Sequence, residues 1–253
     1  MSLPREYISY NQIRLYQNCP RQYYFSYIKE IKTPINDKIL LGIIFHSTAE
    51  YFLKKKISGS EIQNDDILEY FSENFRKTTS DSEIKWDNSR EDTKNRGFSF
   101  VKYFLKEIAP ELKPLMTEKD LEAKIPGSDT KLKGIIDLVE DDFSLTDFKT
   151  TTSKWSKERA TKSFLQMYIY KYLFEENLGN VISDLKFRII YSKNSTNIKQ
   201  QQFSINARDV DMEKMFEIIN FVIENIKRGY FYKNESFICN FCDYKDICNK
   251  TSV

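Results

Sequence analysis

The chain has 253 residues, 40% hydrophobic and 15% aromatic, with only 7 glycines and 6 prolines, which fits one large or two small folded domains and excludes collagen-like or low-complexity structure. Its 39 basic and 37 acidic residues leave a net charge of +2, a field too weak to indicate nucleic-acid binding by itself. The longest apolar run, Ile39 to Phe45, is too short to span a bilayer, and Met1 to Arg5 lack a signal-peptide core, so we expect a soluble, cytoplasmic protein without membrane contact.

The first 115 residues predict helices. Ser9 followed three residues later by Gln12 resembles a capping box, which predicts a short helix ending near Asn18. In the long helix that follows, Leu41, Phe45, Ala49 and Phe52 have the spacing of one buried face. The further predicted helices are Pro20–Ile28, Lys38–Lys56, Glu61–Lys77 and Glu91–Glu107.

The pattern then changes to short segments typical of strands. Three of them, 121–125, 132–139 and 143–149, are separated by turn residues and predict a meander. A helix over 157–177 that ends at Gly179 follows, and then come two strands, 185–192 and 198–205, and a helix over 209–227. We therefore predict a single α/β domain, a central sheet flanked by helices. Its parts are a helical N-terminal cap (1–115), a core (116–228) and a cysteine-rich, irregular tail (229–253).

The strongest chemical pattern is Gly134-Ile-Ile-Asp137 followed by Asp147-Phe-Lys149. Asp147 and Lys149 are two residues apart on a strand, so both side chains lie on one face, with Asp137 on the preceding strand. Two neighbouring carboxylates need a compensating cation, and Mg²⁺ or Mn²⁺ binds oxygen ligands. Such an ion could activate water against a phosphate, with Lys149 assisting. For an isolated D-x-K, a surface hairpin with solvent-facing polar residues is the commoner explanation.

Three other residues could support such a site. Gln166 and Tyr170 are four apart on one face of the next helix, where they could bond a nucleotide, hold the lysine in place, or simply belong to an amphipathic helix. His46 is the single histidine and is either a metal or phosphate ligand or a structural residue. The candidates for DNA contact are two basic groups, although a merely solvated face is the commoner explanation of such groups: Lys54 to Lys56, and Lys154, Lys157, Arg159 and Lys162.

The four cysteines have the spacing of a metal site. Cys239, Cys242 and Cys248 form a C-x2-C-x5-C run, and Cys19 lies far upstream. In a reducing compartment two disulfides are not expected. Four thiolates can bind either a cubane iron-sulfur cluster or a structural zinc ion, and spacing alone does not choose between them. Cys19 could also be an ordinary small buried residue.

Taken in chain order, these patterns resemble the RecB-like PD-(D/E)XK nucleases, including the CRISPR-associated adaptation nucleases and AddB-type nuclease domains. That family has a helical G-x-x-x-H, then G-x-x-D, D-x-K and Q-x-x-x-Y. Here the matching residues are Gly42 with His46, Gly134 with Asp137, Asp147 with Lys149, and Gln166 with Tyr170. The segment Cys19-Pro20-Arg21-Gln22-Tyr23 is similar to the family's C-P-x-x-Y start, so the resemblance runs from about residue 9 to residue 250.

The resemblance implies a Mg²⁺- or Mn²⁺-dependent DNA nuclease, an exonuclease more than an endonuclease, acting on single-stranded or end-bearing DNA. His46, Asp137, Asp147 and the backbone carbonyl of Phe148 would bind metal, Lys149 would assist catalysis, and Gln166 and Tyr170 would complete the catalytic set. Because iron-sulfur members place one cysteine before the core and three after it, the resemblance favours a structural [4Fe-4S] cluster over zinc.

Helicases or CRISPR adaptation proteins are the implied partners, since no Walker A loop is present for a motor of its own. Two other hypotheses remain open at this point. One is a non-catalytic DNA-binding or scaffold subunit of a recombination or CRISPR adaptation complex that retains the fold. The other is an interaction protein with a zinc-ribbon tail.

Overall fold

The computed structural model describes residues 2–250, and its contacts divide the chain into two compact units. Unit 1 combines the chain up to Thr33, Leu121–Gly134 and the chain from Asp211 onward, whereas unit 2 comprises Pro34–Asp120 and Ile135–Val210. The single-domain assignment with parts 1–115, 116–228 and 229–253 stays a prediction. Residue 1 and residues 251–253 of those parts lie outside the described range.

Unit 2 combines a layer of helices with a mixed sheet. Its helices and strands are β2 (Ile35–Asn36), α3 (Asp37–Ile57), α4 (Asn64–Asp81), β3 (Ile84–Lys85), α5 (Arg90–Tyr103) with a π-helical turn (Phe104–Ile108), β6 (Leu145–Thr151), α6 (Lys157–Leu178), β7 (Asp184–Tyr191) and β8 (Lys199–Asn206). Two longer strands, β4 (Pro114–Lys124) and β5 (Lys131–Glu140), have residues in both units.

The strands of unit 2 pair in both directions. β5 and β6 are antiparallel, β6 and β7 are parallel from Leu145↔Leu185 to Thr151↔Tyr191, and β7 and β8 are antiparallel. β4 pairs with β5, so the predicted meander is confirmed, although β4 begins at Pro114 rather than at Leu121. The chain is therefore a mixed α/β protein with a central mixed sheet flanked by helices, as the sequence predicts.

Aromatic side chains fill the core between α3, α4 and α5 of unit 2. Phe71, Phe75, Phe100 and Phe104 are all buried there. Gly97 allows the helices to approach closely, because a Cβ at this position would lie 2.6 Å from Leu41 Cδ2. The predicted buried face of α3 is confirmed in this core: Leu41, Phe45 and Ala49 are buried and Phe52 packs against them.

Unit 1 joins early and late segments of the chain. It contains β1 (Tyr7–Ser9), α1 (Tyr10–Asn18), α2 (Pro20–Tyr23) with a π-helical turn (Tyr24–Ile28), α7 (Met212–Lys227), a 3₁₀ turn (Phe237–Phe241) and α8 (Lys245–Lys250). Tyr16 Oη donates to the carbonyl of Tyr230 at 2.6 Å, and the rings of Tyr23 and Phe231 stack at 6.2 Å. Tyr244 Oη donates to the carbonyl of Ile31 at 3.0 Å, so the early and late segments contact each other directly.

Two local predictions are wrong for identifiable reasons. Ser9 does precede α1, but its side chain makes no capping bond, because Gln12 is turned inward and only 1% exposed, where Gln12 Oε1 accepts from Tyr23 Oη. The tail is not wholly irregular, since it contains a 3₁₀ turn and α8. The predicted end of α6 is confirmed. Gly179 there adopts a left-handed backbone conformation, which costs glycine no side-chain clash.

Within residues 2–250, no helix combines the length and apolar character needed to cross a membrane.

Candidate active site

The predicted carboxylates lie where β5 and β6 stop pairing. Leu138↔Thr146 is the outermost pair of that ladder, and Asp137 and Asp147 are the next residue on each strand beyond it. Both side chains are withdrawn from solvent, with exposed fractions of 8% for Asp137 and 1% for Asp147. The diverging strands therefore hold two acidic groups side by side in a poorly solvated place, which a surface hairpin would not do.

Alternation along β6 sorts its side chains between two environments. Asp147 and Lys149 share a face, and Lys149 Nζ lies 2.8 Å from Asp147 Oδ2. Phe148 points to the opposite face, where its ring meets Phe104 at 5.6 Å between centroids and Phe45 at 6.4 Å. The buried Phe148 fixes the strand against the helical core, so the positions of Asp147 and Lys149 are set by packing.

Asp137 is held as an anion by two donors on one oxygen. Its Oδ2 accepts from the backbone N–H of Phe148 at 2.8 Å and lies 3.2 Å from His46 Nδ1. Burial alone would raise the pKa of Asp137, but the His46 charge and hydrogen bond, Lys149 and the Phe148 N–H together lower it. In turn the Asp137 carboxylate raises the pKa of His46, although burial opposes this.

Glu118 of β4 is a third acidic group that the sequence did not reveal. Ligand atoms of His46, Glu118 and Asp137 all lie within 4.8 Å of one another. The backbone of Glu118 has φ 46°, a left-handed conformation that is uncommon for a non-glycine residue and interrupts the regular strand. Burial, followed by the charge of Asp137, raises the pKa of Glu118 to about 7.

The crowding of carboxylates is what a divalent ion would relieve. Burial raises the pKa of Asp147 to about 6, with Lys149 opposing and Asp137 reinforcing the change. Three carboxylates and one imidazole are a donor set of hard oxygens with one nitrogen, which suits Mg²⁺ or Mn²⁺ better than a thiophilic metal. The residues present therefore fit a divalent cation.

Helix α6 supports Asp147 of β6 through a side-chain hydrogen bond. Gln166 Nε2 donates to Asp147 Oδ1 at 2.9 Å and lies 2.8 Å from Tyr170 Oη, one helical turn further along. Burial raises the pKa of Tyr170 well above its ordinary value, and the Asp147 charge adds to this. The sequence left several roles open for Gln166 and Tyr170. The contacts favour the role of holding a site residue in place, and the residue held is Asp147 rather than Lys149.

The chain from Tyr7 to Asn249 matches the family model described as the PD-(D/E)XK nuclease superfamily. The chain belongs to this superfamily. The match begins at the first residue of β1 and ends within α8, so it includes all the residues described above. Nucleases of the PD-(D/E)XK superfamily use divalent metals, in agreement with the donor set around His46, Glu118 and Asp137. No curated protein matches the chain significantly.

Comparison with solved structures adds a likeness in fold. A protein from Eubacterium rectale, described as a "Putative exonuclease", is 15% identical, with a TM-score of 0.58 over 98% of this chain and 89% of that one. At this identity the likeness concerns the fold alone. A protein described as SSO0001 is also 15% identical and covers 89% of this chain and 91% of that one, with a TM-score of 0.40.

The four cysteines of this PD-(D/E)XK chain line one cavity within unit 1. Cys19, Cys239, Cys242 and Cys248 are free thiols and share the cavity with Phe25 and Tyr244, among others. Burial raises the pKa of Cys242, and the charges of the other three cysteines raise it further, as expected for neighbouring thiols. Positive side chains of Arg21, Lys233 and Lys245 also line this cavity and could balance the charge of several thiolates.

The structure thus brings together, within unit 2, the six side chains that the sequence predicted for the site. They are His46, Asp137, Asp147, Lys149, Gln166 and Tyr170. The backbone N–H of Phe148 donates to Asp137. That the backbone carbonyl of Phe148 binds a metal stays a prediction. Glu118 was missed because Met116 to Asp120 have no strand-like alternation, and the short predicted strand began only at Leu121. No sequence signal separates it from its acidic neighbours Asp120 and Glu122.

Proposed function

We propose that this chain is a divalent-metal-dependent DNA nuclease of the RecB-like branch, acting as an exonuclease on single-stranded or end-bearing DNA. The observation that carries the proposal is the convergence of buried Asp137 and Asp147 with His46 and Lys149, in a chain of the PD-(D/E)XK superfamily. A solvent-facing hairpin would not bury both acids beside a lysine. The likeness to the Eubacterium rectale protein is compatible with exonuclease action but rests on fold.

In this proposal His46, Glu118, Asp137 and Asp147, with the carbonyl of Phe148, hold Mg²⁺ or Mn²⁺. When bound, the ion supplies Lewis-acid stabilisation of the charge that develops on the phosphate. Lys149 directs its ammonium group at the scissile phosphate and the attacking water, while Asp147 keeps the lysine in place at 2.8 Å. Gln166 fixes the orientation of Asp147, and Tyr170 fixes Gln166.

The test is degradation of end-labelled single-stranded and duplex DNA in Mg²⁺, Mn²⁺ and EDTA. Lys149→Ala should lose cleavage by at least about 100-fold and keep its fold. Lys171→Ala is the matched control, because Lys171 is a partly buried lysine paired with Glu175 on α6, at 2.6 Å. DNA binding without cleavage under every metal would contradict the proposal and favour a non-catalytic subunit.

We also propose that the four cysteines hold a structural [4Fe-4S] cluster, with zinc as the less favoured occupant. The four cysteines line one common cavity, which supports a single group held by all four of them. The resemblance to the iron-sulfur nucleases, with one cysteine before the core and three after it, favours the cluster over zinc. Four cysteine ligands leave no open position, so the cluster would be structural.

Metal analysis of anaerobically purified protein tests the cluster independently of cleavage. About four iron atoms per chain, with visible absorbance lost in Cys248→Ser, is the expected result. Zinc in colourless protein would favour the zinc-ribbon hypothesis. A cytoplasmic location and a helicase or CRISPR adaptation partner remain part of the proposal, supported only by the resemblance of the motifs.

A further inference from the structure

A row of polar and aromatic side chains continues along α3 from His46 and meets α4. Ser47 and Tyr51 are one turn apart on α3, and Tyr70 and Asn74 are one turn apart on α4. Ser47 Oγ lies 3.2 Å from Tyr70 Oη, and Asn74 Nδ2 donates to Ser47 Oγ at 3.0 Å. We call Ser47, Tyr51, Tyr70 and Asn74 the α3–α4 seam.

The seam differs from the rest of the contact between these helices. Elsewhere α4 packs through fully buried phenylalanines, Phe71 and Phe75, whereas the seam residues are all partly exposed. The rings of Tyr51 and Tyr70 stack with centroids 4.3 Å apart and 9° between their planes. The Tyr51 hydroxyl makes no hydrogen bond within residues 2–250. The seam therefore places a stacked pair of aromatic rings, with hydroxyl and amide groups beside it, at the surface of unit 2.

Positive groups flank the stacked rings. Lys55 Nζ lies 5.7 Å from the centroid of the Tyr51 ring. Arg76 and Lys77 are exposed, and neither forms an ion pair with a residue in the described range. They belong to the wall of a surface cavity of about 290 Å³, whose other lining residues are Tyr70, Glu73, Asn74, Ser80 and Asp81. Glu73 and Asp81 share this wall, so a ligand would need contacts besides negative charge, and the adjacent Tyr70 ring can supply one.

The seam lies close to the proposed metal site. The five residues from His46 to Tyr51 correspond to about 7.5 Å along the axis of α3, and Lys54 on the same helix interacts electrostatically with both Glu118 of the site and Tyr70 of the seam. Aromatic faces beside lysine and arginine are the elements that proteins use to bind single-stranded nucleic acid, since bases stack on rings and phosphates contact cations. A duplex keeps its bases stacked within the helix and offers none to a tyrosine pair.

The geometry points to the α3–α4 seam as the track for a single DNA strand entering or leaving the site. One base stacks on the Tyr51–Tyr70 pair, and the phosphates that follow it lie beside Lys55, Arg76 and Lys77. This inference rests on the proposed function and adds to it the residues that hold the substrate strand. It also gives the site its preference for an unpaired strand.

Binding can be separated from cleavage in a Lys149→Ala background. The fluorescence anisotropy of a labelled thymidine oligonucleotide is measured with and without Tyr51→Leu, which keeps an apolar side chain over the core. Loss of one stacked base should weaken binding about 5- to 100-fold. Tyr103→Leu is the matched control, because Tyr103 is another partly buried tyrosine packed against the same core. It should leave the Kd unchanged.

A second pair of variants tests the proposed phosphate contacts at exposed positions. Arg76→Ala with Lys77→Ala changes only exposed side chains and should lower the slope of log Kd against log salt by about 1.4, whereas Lys102→Ala on α5 should not. The seam is refuted if both the Tyr51 and the Arg76/Lys77 variants bind the strand like the parent, or if Tyr103→Leu weakens it equally. Wild-type protein that binds through the seam but never cleaves would instead refute the nuclease and leave the track intact.

Discussion

Replacing Glu118 with glutamine removes one negative charge beside His46 and Asp137 while keeping the size of the side chain. In the metal-free protein the pKa of Glu118 is raised from 4.5 to about 7, first by burial and then by Asp137. A folded pKa above the unfolded one means that this group stabilises the fold below about pH 4.5. That contribution is lost as the pH rises through about 7, so at higher pH the ionised carboxylate opposes folding.

The size of the effect follows from the two pKa values. Their difference corresponds to about 3 kcal/mol, and partial exposure of the side chain to solvent reduces this to about 1 kcal/mol. Glu118→Gln should therefore raise the free energy of unfolding in EDTA by about 1 kcal/mol at pH 8 and leave it unchanged at pH 4. Because the variant also loses a proposed ligand, its Mn²⁺ affinity should fall at least about tenfold.

Thermal unfolding in EDTA and in excess Mn²⁺ measures both effects, since an ion that binds only the folded chain raises its stability. Glu107→Gln is the control, because Glu107 pairs with Lys106 at 3.0 Å on the surface of the same unit. A merely structural glutamate would give a variant that is less stable in EDTA and gains as much from Mn²⁺ as the wild type. That result would remove Glu118 from the proposed metal site.

Three further predictions concern the support of Asp147, the packing at Gly97 and the burial of Tyr16. Gln166→Leu should lower kcat about 10- to 100-fold, because Asp147 loses the amide at its Oδ1; steady-state cleavage measures this. Gly97→Ala should lower the free energy of unfolding in urea by about 1–3 kcal/mol, because the added Cβ would lie 2.6 Å from Leu41 Cδ2. Unit 1 should lose stability as the pH rises from about 10 through about 12, because burial raises the pKa of Tyr16 to about 12 and the fold favours the neutral phenol; circular dichroism recorded with tyrosinate absorbance measures this.

Each of these predictions has a control and an opposing outcome. Tyr170→Phe removes only the hydroxyl next to Gln166. A larger effect on kcat than that of Gln166→Leu would contradict the assignment of Tyr170 as the residue that acts through Gln166 on Asp147. Asn95→Ala changes an exposed residue of α5 and should leave the unfolding midpoint unchanged; equal loss in both variants would mean that the close approach at Gly97 is unimportant. Tyrosines that all titrate near pH 10 before any unfolding would show that Tyr16 gains nothing from burial.

Much of the site could be predicted from the sequence because its residues lie on regular elements. The alternation of a strand places Asp147 and Lys149 on one face, and the period of a helix places Gln166 one turn before Tyr170. Gly179 likewise marks the end of α6, since a left-handed residue there favours glycine. Local spacing is sufficient wherever the backbone keeps its period.

Glu118 and Gln12 escaped prediction because their roles depend on departures from regularity or on distant partners. The backbone at Glu118 leaves the strand conformation, so no alternation in Thr117-Glu118-Lys119 indicates which side chain turns inward. Gln12 was assigned to a cap from its spacing to Ser9, but its partner is Tyr23, on a different helix. The division into two units was also hidden, because it depends on contacts among segments far apart in the chain.

The composition of unit 1 has a consequence for biosynthesis. Its segments include α1 and α2 near the start of the chain and α7 and α8 near residue 250, whereas unit 2 is complete at Val210. On the ribosome, the carboxylate–lysine centre can therefore form while the partners of Tyr16 and Tyr23 are still to be made. The four cysteines meet only once Cys248 has emerged, so whatever they hold is inserted after all of unit 2 has been synthesised. Assembly of the cysteine cavity would then follow synthesis of the carboxylate–lysine centre, not precede it.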